Sequence, residues 1–60
     1  MKATILVFID WDRGVWAFQY RNNDGMVTEM TGFPASTPSI VVCDAMQKAK
    51  PSSRIFAKIN

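Results

Sequence analysis

The run Ile5-Leu6-Val7-Phe8-Ile9 decides the fold. It is apolar at every position and not at alternate ones, and its β-branched and aromatic residues favour a strand. A strand with no polar side needs cover on both faces, so residues 2–10 are predicted to form a strand in the middle of a sheet. Downstream, Asp12-Arg13-Gly14 supplies turn chemistry, with Gly14 free to take positive φ. Residues 15–21 then alternate: Trp16, Phe18 and Tyr20 share one face, Val15, Ala17, Gln19 and Arg21 the other. Asn22-Asn23-Asp24-Gly25 signals a hairpin, and residues 26–31 return as a strand of mixed polarity, an edge on which Glu29 discourages foreign pairing.

Residues 32–36 read as a loop, after which Ser36 or Thr37 is placed to cap a helix and Pro38 suits its first turn. The helix is predicted over residues 38–50, with Val41, Val42, Ala45, Met46 and Ala49 on its apolar stripe and Ile40 and Cys43 flanking it. Pro51 forbids continuation. Residues 54–60 form the last strand, with Ile55, Ala57 and Ile59 facing one way and Arg54, Phe56 and Lys58 the other. The expectation is one α+β domain over residues 1–60: a four-stranded sheet in β-β-β-α-β order with a single helix on one face.

Sixty residues bound what such a domain can do alone. A chain this short buries only about 60% of the surface its unfolded form exposes, and small scaffolds recover stability through disulfides, a metal or association. With no histidine and Cys43 as its single cysteine, the chain forms no internal disulfide and no Cys/His zinc site. No metal or other cofactor is expected, and self-association, giving a homodimer, or a larger partner is left as the supplement. The longest apolar run is far below the roughly 20 residues of a membrane span, and Lys2 alone makes a poor secretory signal. The reading is a cytoplasmic protein without membrane contact. The net charge of +2 is unevenly placed. Residues 1–44 set Lys2, Arg13 and Arg21 against Asp10, Asp12, Asp24, Glu29 and Asp44, whereas residues 45–60 carry Lys48, Lys50, Arg54 and Lys58 with no acid.

One short helix cannot cover both faces of four strands, so apolar area must stay open, and open apolar patches of several hundred Å² mark interaction sites. The first functional expectation is therefore a non-enzymatic protein-binding module with Trp11, Trp16, Phe18 and Tyr20 as anchors. Trp16, Phe18 and Tyr20 can equally face the helix and form the core, whereas Trp11 beside a turn is expected to be exposed. The alternative is a nucleic-acid binder in which Lys48, Lys50, Arg54 and Lys58 contact phosphates and the aromatics stack on bases. Catalysis finds little support. No nucleophile has a base beside it, Cys43 reads as a small buried hydrophobe, and Asp10-Trp11-Asp12, a conceivable oxygen-ligand pair for Mg²⁺ or Mn²⁺ with Asp44, also reads as ordinary turn chemistry.

Three antiparallel strands, a helix and a parallel strand, with residues 5–10 ending in Asp10 and Gly14-Val15-Trp16-Ala17 entering the second strand, resemble the first half of the ribonuclease H-like fold. That resemblance implies acids at the helix start and at the last strand. This chain has Pro38, Ser39 and Ile40 at the first place, Asp44 displaced by a turn or more, and Asn60 at the second. Such a set implies a non-catalytic version, similar to antitoxins of the HicB type, which are binding proteins. In size and lack of chemistry the chain also resembles phage-encoded inhibitors of host machinery, including anti-CRISPR proteins, which act by occupying a larger protein or protein-nucleic-acid complex.

Overall fold

The computed structural model describes residues 3–58. Its elements are β1 (Thr4–Asp10), β2 (Val15–Asn22), β3 (Gly25–Pro34), α1 (Ser39–Ala49) and β4 (Arg54–Ala57), the β-β-β-α-β order expected of an α+β domain. The four strands form one mixed sheet in the order β3-β2-β1-β4. β1 runs antiparallel to β2 and parallel to β4, and β2 runs antiparallel to β3. A parallel neighbour needs a crossover connection, which α1 supplies. The apolar β1 thus sits inside the sheet, with β3 and β4 as edges. The predicted strand ends at Lys2, Ile59 and Asn60 fall outside the described residues.

Outside the irregular stretch of β3, the register assigns the strand side chains to faces. Ile5 lies opposite Tyr20, Val7 opposite Phe18 and Ile9 opposite Trp16, while Ile5 and Val7 meet Ile55 and Ala57 on β4. This is the helix side. Ile5, Val7, Trp16, Val42 and Met46 form the buried core, and Ile9, Phe18, Tyr20, Phe33 and Ile55 pack around it. The Trp16 indole N–H donates to the carbonyl of Thr37 at 2.9 Å, so the side chain that fills the core also fastens the chain entering α1 to the sheet. Phe18 and Tyr20 stack beside it at 6.0 Å, and the Tyr20 hydroxyl donates to Glu29 Oε2 at 2.8 Å.

Three local expectations need correction. β3 continues through Gly32-Phe33-Pro34, which the glycine and proline had marked as loop; Pro34 reaches a place opposite Val15 after an irregularity between Val15 and Ala17. An edge strand tolerates proline because its missing N–H can face outward. Thr31 secures the irregularity: its hydroxyl donates to the Trp16 carbonyl at 2.7 Å and accepts from the Phe33 N–H. Second, Pro38 occupies the N-cap itself and no side chain caps the helix; the segment before it is committed to Trp16. Third, the buried seam of α1 is centred on the i, i+4 pair Val42 and Met46. Val41, rotated about 100° from Val42, is exposed along with Ile40 and Ala49, whereas Cys43 and Ala45 are partly buried. The far end of the helix is tied to the β4 approach by Gln47, whose amide donates to the Ser53 carbonyl at 2.9 Å.

Candidate functional site

The second sheet face has no helix over it. It is a grid set by the register: Thr28, Gln19, Leu6 and Phe56 form one row across the four strands, and Met30, Ala17 and Phe8 form the next. Arg21 pairs with Met26, and Thr4 pairs with Arg54, at one end of this grid. Ala17 is fully buried by its neighbours, Leu6, Phe8 and Val15 are partly buried, and Met26, Met30 and Phe56 are exposed, Phe56 at 53%. A hollow of about 370 Å³ opens here, lined by Leu6, Phe8, Ile9, Gln19 and Lys58. The described residues hold no further helix to close it, and β1 was expected from its sequence to be covered on both sides; among them only one side is.

The charge on this face is predominantly positive. Arg21, Arg54 and Lys58 project from it, and among the described residues its single acid is Asp10, at the exit of β1. That carboxylate is already engaged: Oδ1 accepts from the Asp12 and Arg13 N–H groups at 3.1 and 3.2 Å, and Oδ2 pairs with the Arg13 guanidinium at 3.0 Å. The Arg13 side chain, above all, holds the Asp10 carboxyl below its ordinary value. The same contacts account for Asp10 as a turn former. Of the other two acids conceivable for metal chemistry, Asp12 is exposed in the turn and Asp44 pairs with Lys48 at 3.1 Å on the outside of α1, and no cluster of three ligating side chains occurs among the described residues. Asn60 lies outside them.

The expected anchors are separated. Trp11 stands in the β1–β2 turn at 68% exposure, whereas Trp16 is 3% exposed beneath the α1 entry and has no area left to offer a partner. Phe18 and Tyr20 lie partly buried on the helix side, the Tyr20 hydroxyl pushed up from its usual pKa by its hydrogen bond to Glu29. The basic set divides as well: Lys48 and Lys50 belong to the helix and its cap, while Arg54 and Lys58 join Arg21 on the open face. Cys43 is partly buried in the helix layer, and that burial raises its thiol pKa. Leu6, Phe8, Met26, Met30 and Arg21 were missed as site residues, although strand parity placed Arg21 with Val15 and Ala17. No helix among the described residues is long and apolar enough to cross a membrane. Comparison with protein-family models, with curated proteins and with solved structures finds no match to the chain.

Proposed function

We propose that this chain is a non-enzymatic protein-interaction module that docks on a larger protein through its open sheet face. The observation that carries the reading is the apolar set Leu6, Phe8, Met30 and Phe56 on three strands, joined across β2 by Ala17, with none of the described residues laid over it. An apolar centre rimmed by polar and charged groups is how a protein interface is built. Here Arg21, Arg54, Lys58, Gln19 and Thr28 supply the rim. A module of this size acts by occupying a surface, the mode of the antitoxins and phage-encoded inhibitors it resembles. The test is partner capture from the native host by wild type, Phe56→Ser and Ile40→Ser. Loss with Phe56→Ser and retention with Ile40→Ser, also an exposed apolar residue but on the helix, is the expected result. Equal capture by all three would sink the assignment of this face.

A nucleic-acid reading has one observation in its favour: Arg54 and Phe56 on β4 and Lys58 just past its end alternate, so two cations flank one exposed ring. Binding of a single-stranded oligonucleotide that falls steeply between about 50 and 200 mM salt would support it.

A further inference from the structure

We infer that the partner surface taken by the open face is acidic, with carboxylates bracketing an apolar side chain; this rests on the docking reading above. The spacing sets the pattern. Arg54 and Lys58 each lie two residues from Phe56 on the same strand face, about 6.6 Å away at a strand's rise. The hollow beside them has a floor of Leu6 and Phe8 and an ammonium at its lip. Arg21 adds a third cation at the Arg54 end. Among the described residues none of these three has a carboxylate within ion-pair distance, and Asp10 is spent on Arg13 and the turn. An occupant that brings an apolar group to the hollow and acids to its rim satisfies both features together.

A second copy of this chain does not. Its matching face would bring Arg21, Arg54 and Lys58 and no free acid, and like charges across an interface are repulsive. Area argues the same way. Four strands about 4.8 Å apart, of 7, 8, 10 and 4 residues, make a face of roughly 19 by 23 Å on average. Two such footprints sum to roughly 870 Å² of flat area, which places a face-to-face dimer toward the small end of stable interfaces. A larger partner can reach past the rim to Trp11 and the β4 edge. Nucleic acid fits less well, because stacking successive bases needs several open rings, and among the described residues this face offers Phe56 alone. Leu6 and the methionines are aliphatic, and Phe8 is partly buried.

The probes are short synthetic peptides titrated into ¹⁵N-labelled protein: one alternating glutamate with leucine and phenylalanine, its lysine counterpart, and an oligothymidylate of similar length. The acidic peptide is expected to shift the amides of residues 6, 8, 19, 54, 56 and 58. Phe56→Ser should weaken it about tenfold. The pair R54E and K58E should exchange the preference, taking the lysine peptide over the glutamate one. Both sites are exposed strand positions, and far-UV circular dichroism verifies that each variant is folded. Equal binding of both peptides at this face would overturn the acidic assignment while leaving the docking face in place. Shifts confined to Ile40 and Val41 on the helix, or tighter binding of the oligothymidylate, would overturn the face's assignment to a protein partner altogether. A concentration-dependent dimer dissolved by Phe56→Ser would return the face to a second copy and so overturn the inference.

Discussion

The two tryptophans, five positions apart in sequence, are expected to respond to truncation in opposite ways. Trp16 is 3% exposed and gives its indole N–H to Thr37; Trp11 is 68% exposed in a turn. Removing a buried tryptophan side chain costs about 3–5 kcal/mol. A domain of sixty residues holds only about 3–9 kcal/mol at 0.05–0.15 kcal/mol per residue. Trp16→Ala therefore removes at least a third of the stability and can remove all of it. With a urea m-value near 1 kcal/mol/M for so small a domain, the midpoint falls by about 3 M, or no folded baseline is seen. Trp16→Phe keeps a ring in the core but loses the bond to the Thr37 carbonyl, worth about 1 kcal/mol, and should lower the midpoint by about 1–2 M. Trp11→Ala should stay within about 0.5 kcal/mol of wild type. Urea unfolding followed by far-UV circular dichroism reads all three without relying on tryptophan emission. A Trp16→Ala variant with an unchanged midpoint, or a Trp11→Ala variant as damaged as it, would refute the burial that divides core from docking face.

The remaining predictions address the turn and the thiol. Asp10 is held below the usual aspartate value of 3.8 by Arg13, so its contribution is complete above that value and is lost as pH falls through the lower folded one. Asp10→Asn should flatten the acid limb of a stability–pH curve below about pH 4 while leaving thiol reactivity unaltered. Gly14 has φ 67° and nothing within 4 Å of an added Cβ, so Gly14→Ala should cost only backbone strain, about 1–2 kcal/mol in a urea titration, with Gly14→Asn costing less. Cys43 should react with a disulfide reagent more slowly in the native protein than in urea, since burial raises its pKa and thiolate is the reactive form; equal rates would contradict its placement in the helix layer.

The element order was legible because each element has its own punctuation: Gly14, Gly25 and Pro51 stop what Ile5, Trp16 and Val42 organise. Which sheet face the helix covers was not. β1 gives no answer, since Ile5, Val7 and Ile9 are as apolar as Leu6 and Phe8. The choice falls to β2, where Trp16 needs both burial and an acceptor for its N–H, and Thr37 at the helix entry supplies one. That one contact puts Phe18 and Tyr20 on the same side as Trp16 and sends Arg21 to the other. The basic residues misled for a related reason. Lys48, Lys50, Arg54 and Lys58 are close in sequence, but the turn at residues 50–53 carries the chain from the helix to the sheet edge, and strand parity then points Arg54 and Lys58 away from α1. The extended β3 was hidden because Gly32 and Pro34 break central strands but are admissible on an edge.

Alternation also separates two kinds of selection on one short chain. In β1, the odd positions 5, 7 and 9 meet Val42, Met46 and the aromatics of β2, and substitutions there spend a stability margin of a few kcal/mol. Even positions 6 and 8 bear on the open face and are only partly buried, so a polar replacement there loses less burial in the free chain than one at 5 or 7. The same parity runs through β4, with Ile55 inward and Phe56 outward. A free chain gains little from Phe56, 53% exposed, and an apolar side chain left in water favours aggregation, so a serine or threonine there would serve an isolated domain better. Phe56 beside cations that pair with no described carboxylate is the pattern of a surface built for contact, and it makes a sharp demand: polar substitutions at residues 6, 8 and 56 must damage binding more than folding, while those at 5, 7 and 55 must do the reverse.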